Sequence, residues 1–272
     1  MRVMNLIKAG FYLNISYMRN NRASFIAGLI WPYLLMGFML GAGMILGNEQ
    51  NFRANLGAEV NPLLFFVAST FVASVSLNVM WEMGGAILFY RWVGVLPYIF
   101  VAPYRPSTIL IFEYLPKYLL NSLILLTEFL PLILLTEGIF EGLLDVSVLV
   151  FAMTLGMLPL VGFAAILASF LLTTEEESNF MSWLNPLILI LSGAYYPAYL
   201  FPQWMQIISQ VLPTTFTLEI ARLIALMNTD FRHVIFLSGV LLGMAIFYNG
   251  LSLPIIERAE RKALKEGVIN VY

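Results

Sequence analysis

Residues 192–222 read SGAYYPAYLFPQWMQIISQVLPTTFTLEIAR. The stretch follows one membrane-length apolar run and precedes the last one. Pro197, Pro202 and Pro213 nevertheless cut it into pieces too short to cross a bilayer. A crossing helix needs roughly 20 apolar residues, and proline removes a backbone donor and clashes with the turn before it. Broken apolar backbone at membrane depth has to be covered by protein or line a cavity, because lipid offers it no hydrogen-bond partner. Two readings stand at this point: an amphipathic loop on the outer leaflet, or a covered segment that folds back.

Around this stretch the chain reads as a membrane protein. Of 272 residues, 60% are hydrophobic and 11% charged, and the mean hydropathy is +0.86. Such apolarity belongs in lipid. About six membrane-length runs leave little for a soluble domain, so residues 1–272 are expected to form a single transmembrane domain. The net charge of −2 gives no argument for nucleic acid. Cysteine is absent and His233 is the single histidine, so thiolate and histidine metal sites are not expected. No G-x-x-x-x-G-K phosphate loop occurs, and the chain is not expected to hydrolyse ATP by that route.

Taken in order, residues 1–22 suit a helix lying in the membrane surface. Met4, Ile7, Phe11, Ile15 and Met18 share one side, and Asn5, Lys8, Tyr12, Ser16 and Arg19 form a polar wedge. The first span is expected over about 24–46, where Gly37, Gly41, Gly43 and Gly47 give small-xxx-small pairs that favour close helix packing. Asn61-Pro62 opens a second span reaching about Tyr90. On it Thr70, Ser74, Asn78 and Glu82 recur every four residues and share a face. That face either bonds helices together or borders a transport path.

A proline-punctuated, apolar loop follows at 91–107. The third and fourth spans are placed at about 108–136 and 146–172, with an acidic outer loop around Glu137, Glu141 and Asp145. Glu113 and Lys117, four apart, read as a local ion pair. Glu175, Glu176 and Glu177 read as a solvated turn capping the next helix, with contact to a basic partner surface as the other reading. A fifth span at about 180–197 puts Ser182, Asn185, Leu189, Ser192 and Tyr196 on one face. A sixth runs from about 233 to 254, and 255–272 form a cytoplasmic tail. With both ends inside, all the Lys and Arg except Arg53, Arg222 and Arg232 fall on the cytoplasmic side. That asymmetry fits the positive-inside rule.

The spacing of Ser192, Gly193, Pro197, Pro202, Trp204, Pro213, Thr215, Glu219 and Arg222 resembles, without a gap, the signature between the fifth and sixth spans of ABC transporter permeases of the type-2 exporter family. The resemblance implies an all-α fold of six spans, an N-terminal interfacial helix and a pair of re-entrant outer helices over 197–222. Gly94, Leu96, Ile99, Phe100, Ala102 and Pro103 resemble that family's first intracellular loop, which forms a coupling helix seated on the ATPase subunit, although its charged lead-in is reduced here to Arg91. Val95 and Pro97 depart from its usual Thr and Glu, and Pro97 suits the first turn of a short helix.

The resemblance further implies a chain that is not itself an enzyme. Two copies, or this chain with a similar permease, would face each other in a plasma membrane. Each would dock a separate ATPase subunit that binds the ATP and magnesium, contacting Arg91–Pro103 and Glu175–Glu177. Thr70, Ser74, Asn78, Ser182, Asn185, Ser192 and Tyr196 would flank the path. Their neutral character suits an amphipathic or lipid-like cargo. Polysaccharide export, or a secondary transporter without an ATPase, are the alternatives, although the two halves show no inverted repeat of broken spans.

Overall fold

The computed structural model describes residues 2–46, 60–173, 179–225 and 231–266, and every element among them is helical. In order they are α1 (Arg2–Asn20), α2 (Arg22–Leu46), α3 (Pro62–Trp92), α4 (Leu96–Val101), α5 (Pro106–Thr173) and α6 (Asn179–Leu191). A 3-10 turn (Ala198–Leu200), α7 (Gln203–Ser209), α8 (Pro213–Ala221), a second 3-10 turn (Arg222–Ala225) and α9 (Phe231–Glu266) complete the fold. Among the described residues, four helical stretches are long and apolar enough to cross a membrane: Arg22–Gly41, Pro62–Met83, Tyr114–Leu172 and Arg232–Lys265. The chain is thus compatible with a membrane-embedded protein.

Helix α3 is the axis of the bundle. Within its apolar window 83% of residues are buried, against 17% in those of α2 and α9. Small and β-branched residues (Val67, Ala68, Ala73, Val79) let neighbours close around it, and Phe71 fills the centre. Its start is where the sequence places it. The Asn61 side chain accepts from the Leu63 backbone N–H at 3.1 Å, and Pro62 occupies the first turn, where no donor is missed. Asn61 also joins two other elements: its N–H donates to Ala225 O at 3.1 Å, and its Nδ2 to Glu137 Oε1 at 3.1 Å.

The expected acidic loop around Glu137–Asp145 is absent. Helix runs on both sides of Gly138, which alone makes the turn with φ 81° and ψ 179°, a region essentially reserved for glycine. The two arms of α5 then run back along each other. Tyr118 Oη donates to Met153 O at 3.0 Å. Nearer the turn, a Cβ on Gly142 would lie 3.3 Å from Leu134 Cα. At 1.5 Å per residue the 59-residue apolar stretch would extend about 90 Å, three times a bilayer core, and the reversal at Gly138 divides it into two antiparallel arms.

Helix α9 continues through Pro254 to Glu266, in keeping with the helix-like spacing of the sequence there, and its roughly 54 Å length exceeds a bilayer core. Two further expectations are corrected. Helix α6 ends at Leu191 rather than near Pro197. Gly37 and Gly41 of α2 are not packing points among the described residues, since a Cβ on either would meet nothing within 4 Å, and the surroundings of Gly43 and Gly47 lie outside those residues. Close approach falls elsewhere, at Gly162, where a Cβ would stand 2.6 Å from the Asn249 backbone N, and at Gly156, 2.3 Å from Thr217 Oγ1.

Candidate functional site

The motif around Gly193 and Arg222 forms one bonded unit. Gly193 ends α6 with φ 82°, and its N–H donates to Ile190 O while that of Ala194 reaches back to Leu189 O. This pair of bonds is the Schellman arrangement, which needs a left-handed residue at its turn. It leaves the carbonyls of Gly193 and Ala194 pointing away from the helix. Arg222, 29 residues on, donates Nη2 to Gly193 O at 2.7 Å and to Ala194 O at 2.8 Å. Its Nε donates to Ser69 Oγ of α3 at 2.9 Å, and its Cζ lies 4.2 Å from the Phe65 ring centroid. A planar, multi-donor cation can reach all these acceptors at once, and the aromatic face contributes favourably.

Between these residues the chain bends by 90° from α7 to the α8 segment. Pro202 and Pro213 start the two helices, and Pro197 precedes the first 3-10 turn. Gln206 Nε2 donates to Phe201 O at 2.7 Å, and Thr215 Oγ1 to Ser209 O at 2.7 Å, holding the bend. Pro197 and Pro213 are buried, whereas Trp204, Ile207 and Val211 are exposed on and just after α7. Thr215 is buried and Glu219 half-buried on α8.

A matching turn lies at the other end of α3. Gly94, φ 75°, donates to Arg91 O, and Val95 N–H to Tyr90 O. The chain thereby turns into α4, with Pro97 in its first turn. Leu96 and Ile99 face inward, Leu96 packing with Ala168 and Leu172 of α5 and Ala259 and Ala263 of α9, and Phe100 is partly buried against the same group. Arg91 Nη2 lies 3.3 Å from Leu172 O, complementing the end of the second arm. Arg105 pairs with Glu257 of α9. Ala102 closes α4 in extended conformation and Pro103 is exposed. The outward residues are ones the family resemblance does not include: Tyr98, 76% exposed, and Val101, 86% exposed.

Asn78 and Asn185 are brought together. They line an open groove of about 600 Å³ between α2, α3 and α6, with Trp31, Phe38, Trp81 and Tyr195 among its walls. Asn185 is buried and its Oδ1 has no hydrogen-bond partner among the described residues. Other residues of the two polar faces go elsewhere. Thr70 Oγ1 meets Met39 Sδ at 3.6 Å, and Ser192 Oγ bonds back to Leu189 O at 3.0 Å. Tyr195, not Tyr196, faces the groove. Ser74 and Glu82 line a second cavity beyond Asn78. Lys117 pairs with Glu82 across helices.

Glu175, Glu176 and Glu177 lie outside the described residues, as do the side chains of Ser182 and Glu113. No group of three or more metal-ligating His, Cys, Asp or Glu side chains occurs among the described residues. Helix α1 sets Gly10 and Asn14 against the bundle and leaves Tyr12, Leu13, Ile15 and Tyr17 exposed. In comparisons with known proteins, no protein-family profile matches the chain, and no curated protein matches it at a significant level.

Proposed function

We propose that the chain is the membrane subunit of an ATP-driven exporter of the type-2 ABC kind, moving an amphipathic or lipid-like molecule from the cytoplasm. The observation that carries this reading is the direct bond between the two ends of the motif, Gly193 and Arg222. Residues that a family signature would keep at fixed spacing then serve one physical purpose. Gly193 makes the turn that frees two carbonyls, and Arg222 consumes them. The bent α7–α8 pair is read as re-entrant, covered by its own hydrogen bonds as lipid exposure would require. Six crossings follow if α2, α3, both arms of α5, α6 and α9 each traverse the membrane with both termini cytoplasmic.

On this reading α4 is the coupling helix. Tyr98 and Val101 meet a separate ATPase subunit, while Leu96, Ile99 and Phe100 pass the push to α5 and α9. ATP can drive transport only through its different affinity for the two states of the assembly. The groove at Asn78 and Asn185 lies on the path, facing a second permease subunit. Polar amides on aromatic walls suit a molecule with a small polar head and an apolar body. A photo-reactive benzoylphenylalanine at position 98 tests the partner. The expected adduct is a protein with a nucleotide-binding phosphate loop. Efficient labelling at position 98 that yields lipid alone rejects the reading.

A further inference from the structure

The second cavity has a charge imbalance that the exporter reading does not use. It is a half-open cavity of about 330 Å³ among α1, α2, α3 and the first arm of α5. At one end Glu82 and Lys117 satisfy each other. Glu128, eleven residues along the same arm and so about 16 Å away, contributes a second carboxylate to the lining. Both of its carboxylate oxygens are closed off from solvent and meet no hydrogen-bond donor among the described residues. The backbone around it is held in place: Tyr33 Oη donates to Glu128 O at 2.7 Å, and the Tyr33 and Phe129 rings are 5.5 Å apart. Ser74 Oγ is also buried, unpartnered and part of the lining. The three ionisable side chains therefore sum to one uncompensated negative charge.

An ionised carboxylate without a partner costs several kcal/mol in such a place, so it either stays neutral or receives a cation. A divalent metal fits poorly, because hard cations ask for six or more oxygen ligands and several carboxylates. An organic cation has low charge density and asks for one carboxylate together with apolar and aromatic contact. The walls supply this: Trp31, Tyr17 and Phe25 stand with Leu29, Ile124 and Leu125. The volume is that of a small drug-sized pocket.

We propose that this cavity binds a monovalent organic cation with an apolar aromatic or aliphatic body, its charge held at Glu128. The site lies within one chain and its occupation needs neither ATP nor a partner subunit, although it borders the groove of the transport reading and shares Trp31 and Asn78 with it.

The test is titration of ethidium, a monovalent aromatic cation, against the full-length chain in lipid nanodiscs, read by fluorescence anisotropy. Saturable binding of one ethidium per chain is expected. Glu128→Gln should weaken it by at least about tenfold, as loss of a buried charge partner does, and Glu128→Asp should recover most of the affinity. Gly28→Leu fills the cavity where nothing stands within 4 Å of the added Cβ, and should weaken binding with Glu128 intact. Glu137→Gln, outside the cavity, should leave it unchanged. Absence of saturable binding, equal affinity in Glu128→Gln and wild type, or equal weakening by Glu137→Gln would overturn the proposal. Should Glu128→Gln not fold, Gly28→Leu decides: retained affinity there rejects the cavity as the site.

Discussion

The turns at Gly94 and Gly193 use the same local hydrogen bonds and left-handed glycine, yet their surroundings differ. After Gly193 the freed carbonyls are gripped by a buried arginine, and a Cβ would stand 2.8 Å from Tyr196 O. After Gly94 the chain enters a six-residue helix anchored through Leu96 and Ile99, with Tyr98 and Val101 left outside. One turn locks the protein to itself and the other presents a surface. The same backbone device thus serves rigidity at one end of the bundle and, on the exporter reading, recognition at the other.

The largest effect separating these ends is expected at Arg222. Arg222→Ala removes donors to Gly193 O, Ala194 O and Ser69 Oγ at once, and should cost about 3 kcal/mol or more in thermal unfolding of the purified chain. Arg222→Lys should recover only part of this, because a point charge does not reproduce the fork. An unchanged Tm in Arg222→Ala would remove the locking role. Next, Gly193→Ala should cost about 2 kcal/mol, from positive φ and the close Tyr196 oxygen together, and Gly94→Ala about 1 kcal/mol. The reverse order would undo the contrast between the turns.

A second contrast concerns close helix approach. Gly162→Ala should destabilise by about 1–3 kcal/mol, because backbone of α9 occupies the space. Gly37→Ala should be neutral or stabilising by up to about 1 kcal/mol, as expected of an open helical site. A loss at Gly37 comparable to that at Gly162 would show that another helix covers α2 in the membrane. The smallest stability effect belongs to Tyr98→Asp and Val101→Asp, within about 0.5 kcal/mol as surface changes. These should still abolish coupling to the ATPase, whereas Leu96→Asp should unfold the α4 end by burying an unpaired charge. Coupled transport that survives Tyr98→Asp and Val101→Asp together would relocate the docking surface.

Much of this is legible in the residues. Asn61-Pro62 announces the start of α3 because cap and first-turn chemistry are local. Asn78 and Asn185 stand out as polar positions on apolar helices, and they share a groove. Long-range choices are not legible. Gly37 and Gly41 form a pattern that permits close packing, but a pattern does not supply a neighbour; Gly162 lacks the spacing and yet meets the backbone of α9. The acidic run around Gly138 suggests a loop, although its residues are acceptable in a helix and one glycine suffices for the reversal. Lys117 has a local acidic neighbour in sequence, but folding brings Glu82 beside it. Helical period alone could have found Tyr98 and Val101, since they lie opposite Leu96 and Ile99.

The most direct test of the exporter account is cargo uptake into inside-out membrane vesicles holding the chain and its ATPase partner. Uptake of a labelled amphipathic probe should require ATP hydrolysis, fail with either protein alone, and disappear in Tyr98→Asp/Val101→Asp while the chain remains folded. Equal uptake by vesicles holding this chain alone, with no nucleotide present, would contradict the account.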